Sequence, residues 1–146
     1  MRNMGTMIQV NGYRIDRDCA YTKDHAWVKI SDERNVLMGL SDYFLKRYRN
    51  IQSCEFPKVG ARVDRNKTMG VLETVKGTAQ LYAAVTGDVK EVNEGFLSQM
   101  KDVLEDPYGR GWILRVECPD LATERGGLLS AEKYASHLRK LVEAGL

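Results

Sequence analysis

The sequence predicts a mainly β (α+β) domain. Two small sheets pack face to face as a flattened sandwich or barrel, with a short helix near 43–48 and a C-terminal helix near 130–144. Three observations carry this. Two runs rich in β-branched and apolar residues, Gly70–Val75 and Thr78–Val89, flank the dipeptide Lys76-Gly77, which reads as a tight hairpin turn. The rhythm Pro57-Lys58-Val59-Gly60-Ala61-Arg62-Val63 echoes Ala83-Ala84-Val85-Thr86-Gly87-Asp88-Val89, which suggests two similar half-sheets, one of them supplying the hairpin. An approximate helical stripe lies at the end of the chain, in Leu129, Tyr134, Leu138, Leu141 and Val142.

Taken in order, residues 1–19 form an N-terminal extension and residues 20–146 the main domain. Within the extension, Asn11-Gly12 lies between alternating segments, a strong short-range hairpin signal over Met7–Ile15. Ala26–Ile30 reads as a strand, Ser31–Asn35 as a polar turn and Val36–Leu40 as the returning strand. Ser41 or Asp42 can cap the helix that follows. Lys46, Arg47 and Arg49 sit near its end, where cations suit the helix dipole. Ile51–Phe56 is a strand stopped by Pro57, which cannot donate to a ladder. Val89–Val92 continues the strand after the hairpin, a short helix is expected around Ser98–Leu104, and Asp106–Gly111 is a turn cluster. Trp112–Val116 is the last strand. Leu121–Gly127 is a link, and Ser130 caps the final helix.

Composition narrows the function classes. The chain has 146 residues, 43% hydrophobic and 29% charged, enough for one domain with a real core. A formal charge of +2, with no interleaved aromatic and basic residues, gives no reason to expect nucleic acid. No apolar run reaches membrane-spanning length, and Met1–Asn11 lacks the apolar core of a secretory signal, so a cytoplasmic protein is expected. Cys19, Cys54 and Cys118 are widely spaced, odd in number and without a CxxC pair, so neither a disulfide framework nor a metal site is expected. His25 and His137 lie far apart in sequence, and nothing marks a catalytic triad or a hydrolytic site using Cys19 or Asp24.

Glu73-Thr74-Val75-Lys76-Gly77, then Leu81-Tyr82 and Val85-Thr86-Gly87-Asp88-Val89, resembles the attachment site of lipoyl-carrier proteins. Three further segments make the resemblance specific to the H-protein family of the glycine cleavage system: Tyr21-Thr22-x-x-His25-x-Trp27-Val28, Gly39-Leu40-Ser41-Asp42-Tyr43 and Asp106-Pro107-Tyr108-Gly109-x-Gly111-Trp112. They arrive in the family's order and cover about Tyr21 to Tyr134. A biotin carrier would place methionines beside the lysine; here the neighbours are Val75 and Gly77. The resemblance implies the flattened lipoyl/biotinyl-type barrel-sandwich hybrid and a carrier without an active site of its own. Lipoate bound covalently to Lys76 would act as a swinging arm, and the protein would supply position and protection.

The implied partners are a lipoate ligase or lipoyl/octanoyl transferase, and glycine decarboxylase, aminomethyltransferase and dihydrolipoamide dehydrogenase. The implied cargo is an aminomethyl group, together with reducing equivalents.

Two positions depart from the family pattern. The family lines the arm's cleft with carboxylates that stabilise a cationic amine. The glutamate expected between His25 and Trp27 is Ala26, and the aspartate expected four residues after Lys76 is Gln80. A charge-assisted hydrogen bond contributes roughly 1.5–3 kcal/mol, so losing two weakens retention of such a cargo by more than about tenfold. Asp24, beside His25, could compensate by turning inward. The departures leave open an H-like lipoate-binding protein serving another pathway, such as heterodisulfide-reductase-like sulfur oxidation. A docking module that is never lipoylated, using the Lys46–Arg49 surface, is the further alternative.

Overall fold

The computed structural model describes residues 6–145, so residues 1–5 of the N-terminal extension lie outside the described residues. Eleven strands and four α-helices follow one another among the described residues. Strands β1 (Met7–Val10) and β2 (Tyr13–Asp16) make a separate antiparallel hairpin. Its turn has Asn11 at φ 49° and Gly12 at φ 83°, the left-handed pair that matches strand twist.

Next come β3 (Ala20–Tyr21), β4 (Ala26–Ile30), β5 (Asn35–Leu40), helix α1 (Asp42–Arg47), β6 (Ile51–Glu55) and β7 (Arg62–Val63). The lysine hairpin is β8 (Thr68–Thr74) and β9 (Gly77–Tyr82). The chain closes with β10 (Gly87–Val92), α2 (Met100–Glu105), β11 (Trp112–Glu117), α3 (Leu121–Glu124), a 3-10 turn (Arg125–Gly127) and α4 (Ala131–Glu143).

Two main sheets form the body, as expected. One has six strands in the order β3-β4-β5-β11-β10-β7, the other three in the order β6-β8-β9. They are not two similar halves. The echoing segments are neighbours in one sheet: Gly87 pairs with Val63 and Asp88 with Arg62. The backbones of Val89 and Ala61 extend the match, with Val89 N–H donating to Ala61 O at 2.8 Å. Similar residues recur because both segments fill one kind of place, a strand beside a turn, within a single ladder. The Leu121–Gly127 link also differs: it coils into α3 and the 3-10 turn, with Leu121 buried beneath it.

Strand alternation splits the core. On β4, Ala26 and Val28 face the main core, which also takes Val36, Leu72, Leu81, Val85, Val89 and Leu114 from both sheets. Trp27 faces the other way, into a second core with Val10, Ile15, Tyr21, Tyr108, Tyr134 and Leu138. The six-stranded sheet is therefore covered on both faces. Each fully buried Leu or Val stabilises by roughly 1.5–3 kcal/mol. Tyr21 and Tyr134 stack with centroids 4.4 Å apart, which seats α4 on the sheet.

Helix boundaries follow capping chemistry. Ser41, not Asp42, caps α1, its Oγ accepting from Phe44 N–H, so the helix starts one residue before the expected position. Ser130 caps α4 in the same way, accepting from Lys133 N–H. Asp42 is free for another task. Its carboxylate is buried and accepts from Arg14 N–H at 2.9 Å, from Arg14 Nη2 at 3.0 Å and from Lys46 Nζ at 3.0 Å. Burial works against its charge, but the Arg14 and Lys46 hydrogen bonds outweigh it and hold the pKa below the ordinary carboxylate value.

The Asp106–Trp112 block binds these parts together. Tyr108 is buried; its hydroxyl accepts from Asp42 N–H at 3.1 Å and donates to Arg14 O. Pro107 O accepts from Trp27 Nε1 at 2.9 Å, and Tyr108 O accepts from Lys29 Nζ. The block therefore fixes β4, α1 and β2 at once.

Candidate functional site

The hairpin turn is centred on Val75-Lys76, one residue earlier than expected. Thr74 and Gly77 form its last cross-strand pair. The shift follows from Thr74, which is nearly buried. Its Oγ1 accepts from Lys76 N–H at 3.2 Å and donates to Gly77 O at 3.0 Å, a side-chain turn that closes the loop early. Gly77 then leaves the turn at φ 131°, a value L side chains rarely adopt, so the glycine is required by the exit of the turn rather than by its centre.

Lys76 is exposed, and among the described residues its ammonium makes no hydrogen bond or ion pair. Val75 beside it is 67% exposed, an apolar side chain held in water at the tip. Glu73 is also exposed. An amine so presented is open to acylation, while the loop beneath it is fixed by Thr74.

Strand β9 runs from this turn to a cleft of about 270 Å³ lined by Asp24, His25, Tyr43, Arg47, Gln80 and Tyr82, among others. Asp24, His25 and Gln80 thus come together from separate stretches of chain. Ala26, the fourth residue expected there, does not line the cleft. It begins β4 and its methyl is buried in the main core, because strand alternation turns that position inward.

His25 precedes the strand at φ 73°, an uncommon backbone for histidine, which rotates its ring out of the β4 alternation towards α1 and α4. Its Nδ1 lies 2.7 Å from the Tyr134 hydroxyl, which in turn lies 3.0 Å from Ser41 Oγ. The ring also meets Tyr43 at 4.7 Å and His137 at 5.9 Å. Burial lowers its pKa to about 4, helped by the neighbouring His137 and Arg47 side chains, so the imidazole is neutral at physiological pH. A neutral His25 orders the cleft wall without adding charge.

Reading the sequence missed the aromatic lining of Tyr43, Phe44, Tyr48 and Tyr82, and the end of α4 at Leu141. It identified Arg47 as a helix-end cation and as part of the Lys46–Arg49 docking surface; the structure puts it in the cleft. Its spacing was the available signal: Arg47 lies three and four residues after Phe44 and Tyr43, on the same face of α1.

The remaining reactive groups lie elsewhere. Cys19 and Cys118 are buried and Cys54 is half-buried, and none of the three is in a disulfide. Among the described residues no group of three or more His, Cys, Asp or Glu is placed to hold a metal ion, and no helix is long and apolar enough to cross a membrane.

Known proteins share this arrangement. The sequence model of the glycine cleavage H-protein matches residues 19–141. The chain is 37% identical over 135 residues to the probable glycine cleavage system H protein of Pyrococcus horikoshii, covering 92% of this chain and 100% of that one. It is 38% identical over 124 residues to the glycine cleavage system H protein of Geobacillus kaustophilus, covering 85% and 96% respectively. The crystal structure of a glycine cleavage system H protein from Mycobacterium marinum superposes with a TM-score of 0.74 at 28% identity, over 90% of this chain and 100% of the other. With its two-sheet body and these relatives over nearly its whole length, the chain belongs to the glycine cleavage H-protein family.

Proposed function

We propose that this protein is a lipoyl carrier in which Lys76 holds lipoate through an amide bond, and that it serves as a non-catalytic component shared by several enzymes. The observation that carries the reading is the exposed, unpartnered Lys76 ammonium on a turn fixed by Thr74, with β9 leading from it to an aromatic-walled cleft. These residues fit the group. Acylation removes the lysine charge, and the rings of Tyr43, Phe44, Tyr48 and Tyr82 suit an apolar arm. When bound, lipoate supplies a dithiolane for thiol and redox chemistry. The chain's own residues do the rest. Thr74 holds the attachment loop, Glu73, Val75 and Gly77 shape the surface a lipoate ligase or lipoyl/octanoyl transferase would read, and the cleft shelters the far end of the arm. Tethering raises the effective concentration of cargo at each enzyme visited.

The family points first to glycine cleavage, with a glycine decarboxylase, an aminomethyltransferase and a dihydrolipoamide dehydrogenase as partners. A second reading is favoured by Ala26 and Gln80: an H-like carrier for another pathway, such as heterodisulfide-reductase-like sulfur oxidation, where amine-binding carboxylates are dispensable.

The test is intact mass after incubation with lipoate, ATP and a lipoate ligase. Wild type gains one lipoyl group and Lys76→Arg gains none; a wild type left unmodified beside a modified control carrier refutes the attachment. Release of carbon dioxide from glycine by a glycine decarboxylase, supported by the lipoylated protein, then separates glycine cleavage from the second reading.

A further inference from the structure

The cleft beside β9 is lined by two cationic side chains, Lys23 and Arg47, against one carboxylate, Asp24. Its polar contribution from β9 is the neutral amide of Gln80, and His25 in its wall is uncharged. Arg47 is the informative group. Of the three cations around the end of α1, Lys46 is bonded to Asp42 and Arg49 Nε donates to Lys46 O at 3.1 Å. Among the described residues, the Arg47 guanidinium makes no hydrogen bond or ion pair, and it faces the cleft. The Lys23 and Asp24 side chains likewise have no bonded partner there.

We infer that this cleft selects an anionic cargo, a carboxylate or other oxyanion on the end of the arm, with Arg47 as the specificity-determining residue. The inference rests on the attachment reading, takes the second pathway reading in place of aminomethyl transfer, and names the cargo class of that same site. Its physical basis is twofold. A guanidinium offers a planar fork of donors that matches an oxyanion in two bonds. A cleft with an excess of positive over negative side chains and aromatic walls biases what enters it towards the opposite charge. A cationic amine would meet two like charges and one carboxylate.

The test alkylates one arm with three reagents of similar size. The lipoylated protein is reduced and treated in parallel with iodoacetate, iodoacetamide or 2-bromoethylamine. In each case a thiolate displaces halide: a carbon–sulfur bond forms, the carbon–halogen bond breaks, and the thiol proton goes to buffer. The arm ends become anionic, neutral and cationic respectively. Amide chemical shifts of Tyr82, Arg47 and Asp24 report the docked fraction. The carboxymethyl arm is expected to dock about tenfold more favourably than the neutral arm, the scale of one charge-assisted hydrogen bond. The aminoethyl arm docks least. Arg47→Gln abolishes the carboxymethyl preference, so that the carboxymethyl and neutral arms of the variant dock alike; this side chain is exposed and, among the described residues, unbonded, so the fold does not depend on it. An aminoethyl arm that docks as well as or better than the carboxymethyl arm overturns the inference, as does an unchanged preference in Arg47→Gln. If mass shows Lys76 unmodified, the attachment reading has failed. The same three S-alkylated dihydrolipoamides, titrated free into the chain, then decide the cleft's preference alone by the same criteria.

Discussion

Replacing His25 with asparagine removes a titratable group from the cleft wall while keeping a residue that tolerates the φ of 73° found there. In the folded protein burial, then His137 and Arg47, hold the His25 pKa at about 4, against 6.5 for the exposed side chain. The sign follows from linkage. The unfolded chain takes up a proton near pH 6.5 and the folded chain does not until about pH 4, so acid favours unfolding across that window. Between these values stability falls by up to about 1.36 kcal/mol per pH unit. The two pKa values give a loss of about 2 kcal/mol by pH 5 and about 3 kcal/mol by pH 4. Against this, the variant loses the 2.7 Å contact between Nδ1 and the Tyr134 hydroxyl, which costs about 1 kcal/mol at neutral pH. The two stability curves should therefore cross. Wild type is the more stable at pH 7.5 and His25→Asn at pH 5, as read from urea midpoints at fixed slope. Carboxylates common to both proteins cancel in the comparison. Parallel curves through this window, or a His25 ring that titrates near 6.5 by NMR, would refute the reasoning.

Asp42→Asn weakens the junction between the N-terminal hairpin and α1. The cost is about 2 kcal/mol, below the ~3–5 kcal/mol of breaking a fully buried pair, because the Arg14 side chain is 25% exposed and Lys46 37% exposed. Since the folded-state pKa of Asp42 lies below its free value of 3.8, the ionic contribution is fully present above that value and is lost as pH falls through the folded pKa. The variant's deficit, measured by thermal unfolding, should shrink in strong acid, and limited proteolysis should cut its hairpin sooner. Gly39→Ala places a Cβ 2.5 Å from the Trp27 ring, which is buried between β5 and Tyr108 and cannot swing away. Overpacking of this kind costs about 1–3 kcal/mol, and the displaced indole should change the tryptophan fluorescence of the folded state.

The strand pattern was legible wherever one segment could be read alone. Ala26–Ile30 has the bounds of β4, and Ser41 and Ser130 mark the starts of α1 and α4. The family was legible because three blocks arrive in order, and the structure gives one of them its reason: Tyr108 and Pro107 bind three separate elements. Pairing between distant segments was not legible. The Pro57–Val63 and Ala83–Val89 rhythms looked like two half-sheets because periodicity reports a strand's faces and says nothing of its neighbour. The turn at Val75-Lys76 was displaced by the Thr74 hydroxyl, a local hydrogen bond that outweighs the glycine signal. Within the cleft, sequence placed Asp24, His25 and Gln80 on the candidate surface. Alternation puts Ala26 on the opposite face from Trp27, and spacing puts Arg47 on the face of Tyr43 and Phe44, but which core and which cavity those faces meet depends on how β4 and α1 pack.

The Arg14 side chain has a consequence for how the molecule is made. Its guanidinium donates to Leu104 O at 2.9 Å and Glu105 O at 3.0 Å, and the Tyr108 hydroxyl donates to its carbonyl. The hairpin bearing Arg14 also buries Val10 and Ile15 beside Tyr134 and Leu138 of α4. On a ribosome, this hairpin would emerge well before the distant segments it packs against and would wait for them. Its own two-stranded ladder is too small to persist alone in water, and the chain must close a loop of some ninety residues before Arg14 finds its acceptors. Such long-range closure makes docking of the hairpin a late step in folding, with the hairpin latching over segments already assembled.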